Sequence, residues 1–201
     1  MPKVAVIDCG IGNLFSITCA LRKIGLETNI VSSSNGLKES DAIVLPGVGN
    51  FKAGSESIQA LRCDIYELIN DGVPVFGICL GMQLLFESSE ESQGKGLGLI
   101  KGKVIRFPSN MKTPHMGWNT LKFVKHIRLV DGIRENDYFY FVHSYYGKPV
   151  DREVVVANTR YGLDFASIVA YKNIWATQFH PEKSGKPGQV ILRNFSKILK
   201  R

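Results

Sequence analysis

The sequence has no run of about 18 apolar residues, so no membrane-spanning helix is expected. It has four cysteines, Cys9, Cys19, Cys63 and Cys79, with no C-x-x-C pair and no metal-like spacing. That argues against a zinc site and a disulfide framework, and points to free thiols in a reducing compartment. No metal and no cofactor is expected. The amino terminus, Met1-Pro-Lys-Val-Ala-Val-Ile-Asp8, lacks the basic, apolar and small-residue layout of a signal peptide and reads directly as a first strand. A cytoplasmic location is the resulting expectation. There is no internal repeat and no low-complexity linker. The basic excess, 25 Lys+Arg against 18 Asp+Glu for a net +7, is scattered apart from a modest cluster at Lys197 to Arg201. No zinc finger, basic helix or RNA-binding aromatic motif accompanies it, so a solvated face or an acidic protein partner is expected rather than nucleic acid.

What is present is enough apolar material, 44% of 201 residues, for one sizeable core and a single domain over residues 1–201. The first half alternates short apolar runs with amphipathic stretches. Strands are expected at 3–8, 28–31, 42–45 and 73–78, and helices at about 13–24 and over 51–70, with a polar loop at 32–36. Short connections between them imply a doubly wound, flavodoxin-like and mostly parallel sheet. The second half changes character. After an acidic, Ser- and Gly-rich loop at 88–98, strand-like runs at 103–107, 119–124, 138–142, 153–158, 166–171 and 174–179 predict an added antiparallel portion, followed by a helix over 188–199.

Ligands of such sheets bind at the carboxyl ends of strands. Three glycine turns fall there. Gly10-Ile-Gly12-Asn13 suggests a dinucleotide site, but the third glycine of that fingerprint would be position 15, which is Phe15. Pro46-Gly-Val-Gly-Asn50 has the form of an anion-binding nest or of a plain strand-to-helix turn. Gly77-Ile-Cys79-Leu-Gly81 has the form of a nucleophile elbow with Cys in place of Ser, where the start of the next helix would favour thiolate. Taken alone it fits a buried core thiol equally well. His180-Pro-Glu182 supplies a base and an orienting carboxylate, which an extended segment would place side by side. Taken alone it also fits a surface turn.

Together the segments resemble the triad-type glutamine amidotransferases. Gly-Ile-Cys79-Leu-Gly-Met-Gln83 and His180-Pro-Glu182 match that family's two signatures in order. Asp8 to Leu14, Pro46 to Gly49, Pro114-His-Met-Gly-Trp-Asn119, Tyr140-Phe-Val-His-Ser-Tyr145 and Lys183-Ser184 are similar to the branch of glutaminase subunits that serve imidazole glycerol phosphate synthesis in histidine biosynthesis. Cys9 departs from that pattern, where many relatives carry an aromatic residue.

The resemblance implies a glutaminase with Cys79 as nucleophile, His180 as base and Glu182 orienting it. It implies an oxyanion hole from Val48, Gly49 and the Leu80 N–H, and glutamine contacts from Gly47, Gln83, Ser144 and Tyr145. It also implies a (β/α)8-barrel cyclase subunit as partner, contacted by Asn13, Met116, Trp118, Tyr140 and Lys183. Trp118 fits a core position as well as an interface. His143 has no chemical step in this picture. Another Cys-elbow enzyme, such as a peptidase or a glutaminase serving a different synthase, fits the Cys79 and His180 motifs alone. A non-catalytic binding subunit would have little use for an intact triad.

Overall fold

The computed structural model describes residues 1–10 and 14–200. In the first half the chain runs β1 (Lys3–Ile7), α1 (Leu14–Lys23), β2 (Glu27–Val31), α2 (Ser34–Lys38), β3 (Ala42–Leu45), α3 (Phe51–Gln59), α4 (Arg62–Asn70), β4 (Val75–Ile78) and α5 (Leu80–Leu84). The second half holds β5 (Ser88–Ser89), β6 (Gly102–Arg106), β7 (His115–Asn119), β8 (Lys122–Phe123), β9 (Phe139–His143), β10 (Tyr145–Pro149), β11 (Val155–Tyr161), β12 (Leu163–Tyr171), β13 (Ile174–Thr177) and α6 (Gly185–Ile198).

The main sheet has the order β2-β1-β3-β4-β13-β12-β11-β8. The first five strands are parallel and the last three antiparallel. Side chains alternate across each strand, and both faces of the central strands β1, β3 and β4 are buried. Ala5, Ile7, Ile43 and Leu45 enter one core with Ile58 of α3, Ile65 and Ile69 of α4, and Leu80 and Leu84 of α5. Val4, Val6, Ala42, Val44 and Phe76 enter the other with Ile17 and Leu21 of α1 and Ile191, Leu192 and Phe195 of α6. This is the doubly wound arrangement expected from unbroken apolar runs. Two small sheets, β10-β6-β5 and β7-β9, carry the rest of the second half; β10 pairs with β6 and β7 with β9 antiparallel, whereas the short β5 pairs with β6 parallel.

Several elements differ from the sequence expectation. Where a polar loop is expected at 32–36, residues 34–38 form α2, which buries only Leu37 and so shows no helical period. It is held from outside, by Ser34 Oγ donating to Asp64 of α4 at 2.6 Å. The run expected as one strand at 119–124 is split. Asn119 closes β7, and its Oδ1 accepts the Thr120 N–H, so the chain turns before β8 joins a different sheet. Strand β10 was not anticipated, because Tyr145–Pro149 has no alternation: Tyr146 and Gly147 are both buried. Helix α6 begins at Gly185, three residues before the apolar period that marked it. The second half as a whole is an excursion between neighbouring strands. β13 returns to lie parallel beside β4, pairing Ile78 with Thr177 across about a hundred intervening residues.

Candidate active site

That pairing builds the site. β4 ends at Ile78 and β13 at Thr177, so Cys79 and the segment 178–180 leave the sheet together at its carboxyl edge, with the Cys79 N–H donating to Thr177 O at 2.7 Å. Cys79 has φ 53° and ψ −105°, a conformation few non-glycine residues hold without support. The flanking glycines explain how it is held. A Cβ at Gly77 would lie 2.9 Å from Gly81 O, and one at Gly81 would collide with the Leu45 carbonyl of β3. Both positions are therefore closed to any larger residue, and the elbow is clamped against the sheet. α5 is only five residues long, so the dipole support expected for a Cys79 thiolate is small. The stronger cationic candidate is His180.

His180 Nδ1 bonds Glu182 Oε1 at 2.8 Å, with both side chains at most 5% exposed. The two side chains meet, but the backbone between them is not the extended segment expected. Pro181–Lys183 is one turn of 3-10 helix, which returns the carboxylate to the Nδ1 edge of the ring. His180 is held by β9, through its N–H to Tyr140 O at 2.9 Å, and by Ser184 Oγ, which donates to His180 O at 2.6 Å. Its Nε2 is buried without a well-formed hydrogen bond and is the nitrogen left for Cys79. Burial is the largest influence on the imidazole and pushes its pKa down. The charge and hydrogen bonding of Cys79 and of Glu182 together outweigh burial and raise it to about 10.

Cys79 opens onto a cleft of about 350 Å³, at the small end for a ligand pocket. Val48, Gly49, Leu80, Gln83, Ser144 and Tyr145, all singled out in the sequence, line it, with Glu91, Pro114, Val142 and His143. Gly47 lines a narrow recess behind it with His180 and Glu182. The Leu80 N–H, the expected oxyanion donor, is taken up by Gly47 O at 3.4 Å.

Two polar residues near the site, one lining the cleft and one buried beside Cys79, carried no sequence expectation. Glu91, from the 88–98 loop, accepts the Phe51 N–H at 2.6 Å at the start of α3, beside the glycine turn. Gln178 is fully buried, and its Nε2 stands 3.7 Å from Cys79 Sγ. Nothing local marks either residue; only strand pairing and loop closure bring them in. Cys9 is poorly suited to nucleophilic chemistry, because burial, with Asp8 beside it, raises its thiol to about 12.

His143 lies under the cleft. Its Nδ1–H donates to Tyr145 O at 2.8 Å, so its Nε2 accepts, and His115 Nδ1 donates to it at 3.2 Å. Burial depresses His143 to about 3 and His115 to about 4, so both are neutral near pH 7. Unfolded, each titrates near 6.5. Below pH 6.5 the unfolded chain therefore binds protons that the folded chain refuses. This stability is present above pH 6.5 and is lost as pH falls through the folded values. His143→Gln should flatten the fall of unfolding free energy between pH 6 and 4 by up to one proton, about 1.4 kcal/mol per pH unit. Urea titrations at stepped pH measure this, and an unchanged slope would refute the assignment.

On the outer face of β7 and β9, Trp118 stands across from Tyr140 with ring centroids 5.8 Å apart, and Met116 across from Val142. Trp118 is 56% and Met116 63% exposed, so neither is a core residue, and Tyr138, which had no assigned role, is also exposed. Lys183 sits half-buried in the turn after His180. Asn13 lies outside the described residues. Among the described residues no cluster of His, Cys, Asp or Glu could hold a metal ion, and no helix is long and apolar enough to cross a membrane.

Comparison with known proteins gives the arrangement a family setting. The family described as glutamine amidotransferase class-I matches residues 5–199. The chain is 50% identical over 197 residues to imidazole glycerol phosphate synthase subunit HisH of Methanocaldococcus jannaschii, covering 98% of this chain and 100% of that one. It is 46% identical to the protein of the same name from Pyrococcus furiosus, with the same coverage. Among solved structures, PurLQS from Thermotoga maritima superposes with a TM-score of 0.81 at 19% identity, covering 99% of both chains, which is a likeness of fold.

Proposed function

The chain belongs to the class-I glutamine amidotransferase family, and from that premise we propose that it is the glutaminase subunit of an imidazole glycerol phosphate synthase. The observation that carries the reading is the near-complete match, at 45–50% identity, to a series of relatives bearing that name. The juxtaposition of Cys79, His180 and Glu182 at one sheet edge supports it chemically.

In this reading the Cys79 thiolate attacks the side-chain carbonyl carbon of glutamine. His180 takes the thiol proton and returns it to the departing nitrogen, and Glu182 holds the imidazole through Nδ1. The C–N bond breaks, ammonia leaves, and a glutamyl thioester remains on Cys79 until water, deprotonated by His180, releases glutamate. The Leu80 N–H and the Val48–Gly49 loop stabilise the oxyanion, and one such donor contributes roughly 3 kcal/mol. Gly47, Gln83, Ser144 and Tyr145 hold the amino-acid end of the substrate.

The Gly47 carbonyl now occupies the Leu80 donor, so the loop must turn before the hole is complete. A restrained resting state suits an enzyme whose product loses nucleophilicity when it protonates in water. The proposed partner is a (β/α)8-barrel cyclase subunit seated over Met116, Trp118, Tyr140 and Lys183, with Asn13 as a further proposed contact. Strand β9 joins that face to the site, since Tyr140 bonds both the His180 backbone and Ser184 Oγ. One amidotransferase domain working in the cytoplasm completes the proposal, and the four free cysteines suit that compartment.

The test is glutamate release from glutamine with and without the cyclase subunit. The expected result is slow release from the chain alone and an increase of at least about tenfold, equivalent to 1.4 kcal/mol, when the partner and its ligand are added. No release under either condition would refute the function.

A further inference from the structure

The nucleophile has a polar neighbour that the triad does not include. Gln178 follows β13 directly and stands opposite Cys79 where β4 and β13 end together, with its backbone N–H fixed to Ser167 O at 2.9 Å. Its side chain is wholly buried. Which end of the amide meets the sulfur follows from its surroundings. The Tyr145 carbonyl can only accept, and it receives Gln83 Nε2 at 2.9 Å and His143 Nδ1 at 2.8 Å. Gln83 must therefore present its NH₂ end on this side, and that group also donates to Gln178 Oε1 at 3.3 Å. With its oxygen so occupied, Gln178 turns its own NH₂ toward Cys79, and Nε2 lies 3.7 Å from Sγ.

We propose that Gln178 is a further residue of the reaction, donating an amide N–H to Cys79 Sγ so that the thiolate is stabilised and aimed into the cleft. No proton leaves the amide. A hydrogen bond to a charged sulfur is stronger than one to a neutral thiol, so the donor favours the ionised form. The orientation is inherited from Tyr145 through Gln83, which ties the nucleophile to the wall proposed to grip the substrate. The inference rests on Cys79 acting as proposed above.

The experiment uses the full chain with the cyclase subunit bound. Cys79 is alkylated by iodoacetamide between about pH 5 and 10 and its peptide quantified by mass spectrometry, which separates it from the exposed Cys63. In Gln178→Leu the midpoint of the reactivity profile should rise by about one pH unit, a tenfold loss of thiolate at a given pH. kcat should fall about tenfold while KM for glutamine stays within about twofold. Gln178→Glu, of the same shape, turns an acceptor toward sulfur and should raise the midpoint further. If the Leu variant does not fold, the Glu variant decides. Folded variants with an unmoved midpoint would overturn the proposal, since a purely structural glutamine would lower the melting temperature without shifting that profile. Labelling of the unaltered chain by 6-diazo-5-oxo-norleucine separates the two readings. Absence of Cys79 labelling overturns the glutaminase function itself, whereas labelling with an unmoved midpoint overturns only the role of Gln178.

Discussion

Cys79→Ala should reduce glutamate release, measured with the cyclase subunit present, by at least about 10⁴-fold. Losing the nucleophile of a triad removes the covalent route altogether, and what remains is the modest assistance of the oxyanion hole and substrate binding. Alanine is the informative replacement because it retains a Cβ. It occupies the same φ of 53°, so the strain of the elbow and its clamp by Gly77 and Gly81 are carried over unchanged. The variant should therefore melt close to the parent and still bind the cyclase subunit. Synthesis driven by an added ammonium salt should survive, because that nitrogen bypasses Cys79. This combination separates loss of chemistry from loss of structure. Glutamate release that persists in the alanine variant would mean that another group attacks glutamine. Cys9 is a poor candidate for that, being buried with its thiol raised to about 12.

Gly81→Ala should destabilise the fold by at least about 3 kcal/mol and abolish glutaminase activity as well. Overpacking a tight site costs about 1–3 kcal/mol where side chains can yield. Here the added methyl meets the Leu45 carbonyl oxygen and carbon, which are fixed in the β3 ladder. The elbow would have to lift off β3, and the Cys79 N–H bond to Thr177 and the register of β4 with β13 would be disturbed with it. Gly94→Ala serves as the control. It has ordinary φ, and its Cβ would meet Ser55 at 3.4 Å, so it should unfold within about 0.5 kcal/mol of the parent. Denaturant unfolding of the three chains side by side measures the difference. Equal midpoints for Gly81→Ala and the parent would refute the clamp.

The elements with strong periodicity were legible because their burial is local. Val4 to Ile7 and Ala42 to Leu45 are covered on both faces, so they read as unbroken apolar runs, and α1 and α6 present one stripe to the sheet. α2 and β10 were not legible, because what stabilises them lies elsewhere in the chain: Asp64 for the first, and the β6 ladder for the second. The order of Cys79, His180 and Glu182 along the chain could be read, as could the need for glycine on either side of the thiol. The 3-10 turn that brings Glu182 to the Nδ1 of the imidazole could not, since Pro-Glu-Lys is compatible with several backbones.

The sequence by itself determined the residue types of the site and the alternation that builds a doubly wound sheet, since both depend on short spacings and side-chain chemistry. Only the tertiary structure decided which strand lies beside β4. A loop of a hundred residues costs little more closure entropy than one of fifty, so nothing in its length selects β13. The selection comes from ladder bonds and from packing such as Phe76 on Phe195. With that one pairing come the meeting of Cys79 with His180 and the burial of Gln178 against the sulfur. The exposure of Trp118 on β7, beside the strand that holds His180, was decided by the separate pairing of β7 with β9, because whether an aromatic faces core or solvent depends on which sheet its strand joins.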